Sequence, residues 1–112
     1  MRIYKVFRAR EWAELEQDGS TPGAPVDRQD GYVHFSTARQ LDETLRKHFS
    51  NETELFLLTV DAEALGNDIR WEPSRGGDLF PHLYRELRLS DILSAEELAT
   101  GPDGPQAPIG LT

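Results

Sequence analysis

Residues 54–61, Glu54-Leu55-Phe56-Leu57-Leu58-Thr59-Val60-Asp61, are the most apolar stretch of the chain. Apolar and polar side chains do not alternate here, which is the pattern of a strand covered on both faces. The fold is therefore expected to be built on this segment as a central strand. Upstream, Ile3, Tyr4, Val6 and Phe7 are good strand formers and mark a strand within residues 1–10. A helix over Arg8 to Asp18 follows, with Trp12 and Leu15 on one face and Gly19 placed as a left-handed terminator. Gly19 to Asp30 reads as a loop, with Pro22 and Pro25 interrupting regular structure.

Gly31-Tyr32-Val33-His34-Phe35-Ser36-Thr37 reads as a short strand entering a helix. Thr37 and Gln40 have the spacing of a capping box, and Leu41, Leu45 and Phe49 form a buried helical stripe. Downstream of the central strand, Asp61 to Gly66 is expected to be one helical turn, with Asp61 as cap. Ile69 to Glu72 is a strand and Pro73 to Pro81 a Gly/Pro-rich loop. Leu83 to Leu89 is a strand with imperfect alternation. Ile92 to Leu98 is a strand or a short helix. Without a regular βαβα alternation the class is α+β, a small mixed sheet with two main helices. One globular domain is expected over residues 1–99, followed by a flexible tail over 100–112 that lacks core-forming residues.

The chain has 112 residues, 20 acidic and 12 basic, for a net charge of −8. That length fits one domain. The acidic balance points away from general nucleic-acid binding and from anionic membrane surfaces, which demand net positive charge. No apolar run approaches the ~20 residues that span a bilayer, and the first residues lack the apolar run of a signal peptide. A cytoplasmic location is expected. The absence of cysteine removes disulfides, thiolate metal sites and cysteine nucleophiles. Eight of the 12 basic residues fall in two groups: Arg2, Lys5, Arg8 and Arg10, and then Arg70, Arg75, Arg85 and Arg88. If those segments are neighbours, this acidic chain carries a locally positive cleft suited to a small anionic ligand.

Two motifs concentrate chemistry. Alternation along the strand at 32–36 puts Val33 and Phe35 on one face and Tyr32, His34 and Ser36 on the other. A row of Tyr, His and Ser suits a lined pocket, although a polar face turned to water gives the same pattern. In the second motif, Trp71-Glu72-Pro73-Ser74-Arg75-Gly76-Gly77-Asp78-Leu79-Phe80-Pro81-His82-Leu83-Tyr84, the glycines let backbone amides form an anion-binding nest. Arg75 offers a planar fork for phosphate or carboxylate. A Glu72–Arg75 ion pair holding a tight loop is the purely structural alternative. The clustering of Arg70, Glu72, His82 and Tyr84 in one segment favours a functional loop. His34, His48 and His82 have no metal-ligand helical spacing, so no metal is expected. P-loop, dinucleotide-binding and nucleophile-elbow motifs are absent, and nothing near Ser36 marks it as an activated nucleophile.

Ile3-Tyr4-Lys5, the stretch 31–37, the stretch 71–77 and Phe80-Pro81-His82-Leu83-Tyr84 together resemble the signature of domain-of-unknown-function family 952, over about residues 2–95. The fold of that family resembles the ADP-ribosyltransferases. In active transferases a His or Arg on the first strand, a Tyr or Ser on the middle strand and a late Glu hold NAD and stabilise an oxocarbenium-like transition state. By this resemblance Lys5 stands near the first position, an altered ligand; Ser36 matches the second, and Glu72 is the late glutamate. The resemblance implies a cleft for an NAD-like or other phosphate-bearing small molecule. Its expected lining is His34, Ser36, Arg70, Glu72, Arg75, His82 and Tyr84. Glu72, His34 and His82 are the candidate catalytic groups, with Glu72 orienting a ribose hydroxyl and an imidazole acting as acid or base. Arg75 and the Gly76 and Gly77 amides would hold phosphate. The alternatives are a non-catalytic module that keeps only the fold, and a hydrolase or transferase acting on a modified nucleotide or RNA end.

Overall fold

In a computed structural model that describes residues 1–112, the side chain of Arg75 excepted, the apolar segment is the middle strand of a sheet. The elements run β1 Arg2–Arg8, α1 Ala9–Asp18, β2 Ser20–Thr21, α2 Pro25–Asp30, β3 Val33–His34, α3 Ala38–His48, β4 Leu55–Asp61, α4 Ala62–Leu65, β5 Ile69–Pro73, β6 Leu79–Leu83, β7 Leu87–Arg88, β8 Ile92–Glu97, β9 Thr100–Gly101 and β10 Gly104–Pro105. The class is α+β, with α1 and α3 as the main helices. One antiparallel sheet has the order β1-β4-β8 and a second β3-β6-β5. β2 pairs with β7.

Strand alternation divides the core in two. Leu58 and Val60 of β4 join Ile3 and Phe7 of β1 on the face that meets Leu15 of α1 and Val33, Ile69 and Leu83 of the second sheet. Leu55 and Leu57, with Tyr4 and Val6, face Leu41 and Leu45 of α3. β4 is apolar throughout because each of its faces meets a helix or sheet. The sheets are joined by one crossing strand. Val33 and His34 pair with Leu83 and His82 of β6. Two residues later Ser36 exchanges backbone hydrogen bonds of 2.8 Å with Tyr4 of β1. The β3–β6 ladder stops where Phe35 N–H donates to Pro81 O, because proline has no N–H to return. Beyond Tyr4 no strand among the described residues pairs with the outer edge of β1.

The structure corrects several expectations. Residues 19–30 are not a loop. Pro25 occupies the first turn of α2, where its missing N–H is no loss, and Gly31 closes the helix with φ +87°. The 73–81 loop is shorter than expected, because β6 begins at Leu79; of the expected 83–89 strand only Leu83, at the end of β6, and Leu87–Arg88 lie in strands. Ile92–Glu97 is a strand, its register fixed by pairing along β4. Helix propensity in the Ser94 to Leu98 stretch yields to that pairing. In residues 100–112, expected as a tail, β9 and β10 form a hairpin. Ala107 and Leu111 pack against the α3 side of the core.

The junction between the sheets is held by a buried carboxylate. Asp27, in the first turn of α2, is 1% exposed. Its Oδ1 accepts from Lys5 Nζ at 3.0 Å, His34 N–H at 3.0 Å and His34 Nδ1 at 2.7 Å. Its Oδ2 accepts from Ala24 N–H at 2.8 Å and faces Lys5 Nζ at 2.8 Å. One side chain thus ties β1, the start of α2 and β3. Burial pushes the Asp27 carboxyl up, but the hydrogen bonds from His34 and the charge of Lys5 outweigh it and hold the group below its ordinary range. Gly23 is required beside it. At φ +107°, a Cβ there would lie 2.3 Å from Asp27 Oδ2.

Asp27→Asn leaves the Lys5 ammonium buried without a counter-charge, so denaturant melts should show a loss of about 3–5 kcal/mol. The pH dependence follows from the depressed folded-state value. Asp27's contribution is complete above the ordinary aspartate range near pH ~4 and is lost as pH falls below it. The stability gap between wild type and Asp27→Asn should therefore close on acidification through that window. Gly23→Ala should destabilise by more than the usual ~1 kcal/mol of a positive-φ glycine, because the new methyl displaces the carboxylate.

Candidate functional site

The register of the second sheet assembles the site. β3 and β6 place His34 opposite His82, and β5 and β6 place Arg70 opposite His82 and Glu72 opposite Phe80. The two imidazole rings lie 5.2 Å apart, nearly perpendicular. The Tyr32 ring covers both, at 4.6 Å from His34 and 4.3 Å from His82, and continues to Tyr84 at 5.1 Å. Arg70 stacks its guanidinium 4.5 Å above the Tyr84 ring.

Each histidine is oriented by carboxylate. Glu72 Oε1 accepts from His82 Nδ1 at 2.8 Å and from Tyr84 Oη at 2.6 Å. The Tyr84 and His82 hydrogen bonds hold the Glu72 carboxyl below its ordinary range, and Glu72 in turn pushes the Tyr84 phenol up. An ionised carboxylate only accepts, so His82 carries a proton on Nδ1 and turns Nε2 away from Glu72. His34 has Nδ1 on Asp27 and Nε2 3.0 Å from Asp30 Oδ2. Behind His34, burial pushes the Lys5 ammonium down, and Asp27 pulls it part of the way back. The Tyr32 phenol is pushed up, first by burial and then by the charge of Asp30.

A cleft of about 600 Å³ opens between the free edge of β1, the start of α2, α3 and the tip of the second sheet. Four cationic side chains, Lys5, Arg8, Arg10 and Lys47, line it with His34, His48 and His82, against one carboxylate, Glu43. Several of the cations are matched: Lys5 by Asp27, Arg8 by Glu11 and Glu52, and Lys47 by Glu43. Arg10 has no ion-pair partner among the described residues. Asp27, Glu11 and Glu52 stand behind the cations they match and do not line the cleft.

The expected site residues divide. His34, Ser36 and His82 line the cleft, Ser36 with its hydroxyl 2.8 Å from Thr44 Oγ1. Glu72, Arg70 and Tyr84 do not line it, and Glu72 and Tyr84 reach it only through His82. Gly76 and Gly77 form the exposed turn between β5 and β6, with φ of +79° and +85°. Gly77 N–H is spent on Ser74 O within that turn. The Arg75 side chain lies outside the described residues. The two basic groups do not come together as neighbouring strands. β1 supplies Lys5 and Arg8, with Arg10 just beyond, whereas Arg70 stacks on Tyr84 and Arg85 is bound by Asp68 and Asp91. Lys47 and His48 at the end of α3 complete the basic wall. Among the described residues, no cluster of three or more His, Asp or Glu is arranged to hold a metal ion. Sequence reasoning missed Asp27, Asp30 and Lys47. The signal available for Asp27 was an acid two positions after a helix-starting Pro25.

No helix is long and apolar enough to cross a membrane among the described residues. No curated protein matches the chain. The crystal structure of protein CC0527 from Caulobacter crescentus is 43% identical, over 95% of this chain and 94% of that one, with a TM-score of 0.91. The solution NMR structure of CC0527 is 42% identical, over 93% of this chain and 90% of that one, with a TM-score of 0.83. The model of one family, described as "Protein of unknown function (DUF952)", matches residues 6–95, and the chain belongs to that family.

Proposed function

We propose that the cleft binds a small phosphate-bearing ligand of the nucleotide or NAD kind. The observation that carries this reading is the charge of its wall: four cations and three imidazoles against one carboxylate, in a chain of net charge −8. Low-dielectric walls focus such a local field, so the overall negative charge does not cancel it. The volume suits a ligand of nucleotide size, since small-molecule sites run from about 300 to 1,000 Å³. Arg10 lines the cleft with no ion-pair partner among the described residues, and Lys47 can leave exposed Glu43 for a phosphate at little cost, because surface ion pairs are worth about 0–1 kcal/mol. Kinship with the ADP-ribosyltransferase fold, implied by the motifs at 31–37 and 71–84, supports NAD among the candidates. On this reading Glu72 acts on the ligand through His82 and does not touch a ribose directly. A module that keeps only the fold has no need of an open basic cleft with two oriented imidazoles.

Titration calorimetry with NAD, ADP-ribose, pyrophosphate and inorganic phosphate tests the reading. Binding heat is expected for at least one of them. Arg10→Ala should weaken it by about 10- to 100-fold, as loss of one charge-assisted hydrogen bond of ~1.5–3 kcal/mol implies. Raising salt should weaken it further. A folded sample that gives no heat with any of the four overturns the reading.

A further inference from the structure

We propose that the cleft is an acid–base site for phosphodiester hydrolysis, in which His82 is the general base and His34 the general acid. The proposal rests on the phosphate-binding reading and deepens it. Its basis is the pair of imidazoles 5.2 Å apart on one wall of the cleft, each held on Nδ1 by a carboxylate. That is the arrangement of a base oriented by a third group. Glu72 fixes the His82 tautomer, and its partner Tyr84 Oη fixes Glu72. His82 is 4% exposed, and among the described residues its Nε2 has no partner. Glu72 occupies Nδ1 only, and His82 is among the residues that line the cleft. His34 is in the complementary state. Carboxylate oxygens face both of its ring nitrogens, an environment met by two N–H donors.

The step balances. His82 Nε2 takes a proton from a water molecule as its oxygen forms a bond to phosphorus. The bond from phosphorus to the leaving alkoxide oxygen breaks, and that oxygen takes the proton of His34 Nε2. Exposed Asp30, which faces that nitrogen, is the group the leaving oxygen replaces. Proton exchange with water then resets the two rings. An alkoxide leaving from a diester needs a proton, and a second histidine supplies it. The basic wall neutralises the charge gathering on the phosphoryl oxygens. Ser36 is not the nucleophile, since its hydroxyl is bound to Thr44 and has no base beside it.

Among the described residues, the charged and titratable groups facing the pair come from several elements. Glu72 and Arg70 come from β5, Tyr84 from the end of β6, Tyr32 from the turn before β3, Asp27 and Asp30 from α2, and Lys5 from β1 through Asp27. The test is hydrolysis of 2′,3′-cyclic AMP and bis(4-nitrophenyl) phosphate, read across pH 5–9, a range spanning about 2 units on each side of neutrality. Turnover with a bell-shaped kcat/KM profile is expected. His82→Gln should lower kcat by about 10²-fold or more on both substrates, the usual contribution of a general base, and His34→Asn by as much on 2′,3′-cyclic AMP but far less on bis(4-nitrophenyl) phosphate, whose nitrophenolate leaves without a proton. Glu72 and Tyr84 are positioning residues. Glu72→Gln, which keeps the shape and removes the charge, should lower kcat with KM unchanged and move the acidic limb to lower pH. Tyr84→Phe should lower kcat less and leave the limbs in place. Thermal melts establish that each variant is folded. Binding heat with pyrophosphate but no hydrolysis of either diester overturns this assignment and leaves the binding reading standing. Neither heat nor hydrolysis overturns both. Turnover unchanged in folded His82→Gln and His34→Asn also overturns the assignment.

Discussion

The structure depends on how one buried carboxylate is compensated. Asp27 is shielded from water, and its charge is tolerable only because Lys5, two groups of His34 and the amide of Ala24 all point at it. Removing an ion from water costs several kcal/mol, which only well-placed partners offset. Those partners come from β1, α2 and β3, which an apolar core alone would leave free to slide. Lys5 shares a strand face with Ile3 and Phe7, where an apolar side chain would pack as well. An ion pair there specifies one arrangement: β1 against α2, with His34 turned toward the cleft. Stability and site geometry are therefore linked through a single group.

A second consequence concerns the cleft. The segment from Val33 to Ser36 pairs first with β6 and then, at Ser36, with Tyr4 of β1. The outer edge of β1 then forms the floor of a pocket and does not pair with another strand. Open edges invite unwanted pairing, and charge is a common defence. Here the edge carries Lys5, Arg8 and, one turn on, Arg10. The features that protect the edge also give the cleft its sign. Pro81 contributes from the other side, since its missing N–H ends the β3–β6 ladder where the cleft begins.

The parts of the fold legible in the sequence are those that follow from apolar patterning. The uniform run at 54–61 gave a buried middle strand, and Leu41 and Leu45 gave the inner face of α3. The Thr37 and Gln40 capping box formed as expected. What stayed hidden depends on contacts distant in sequence. α2 is six residues long with no apolar stripe, and it is anchored by Asp27 rather than by packing. Pro81 reads as a breaker, yet it sits within a strand whose neighbour ends beside it. At the site, the motifs brought His34, Ser36 and His82 to the cleft, and the same segments placed Glu72, Arg70 and Tyr84 one shell further out. Sequence proximity cannot separate those two ranks, because Arg70, Glu72, His82 and Tyr84 share one face of the second sheet and differ only in their place along it. The basic wall was legible in part. β1 supplies its share, but the expected second group of arginines is replaced by residues at the end of α3.

The central claim is that the basic cleft is a ligand site whose wall is organised through oriented histidines. The most direct measurement is nitrogen-15 NMR of the imidazole rings and backbone amides during a pyrophosphate titration. The account predicts that His82 is the Nδ1–H tautomer, and that pyrophosphate shifts the His34 and His82 rings together with the amides of Lys5 to Arg10. An Nε2–H tautomer at His82, or shifts confined to residues outside the cleft, would contradict it.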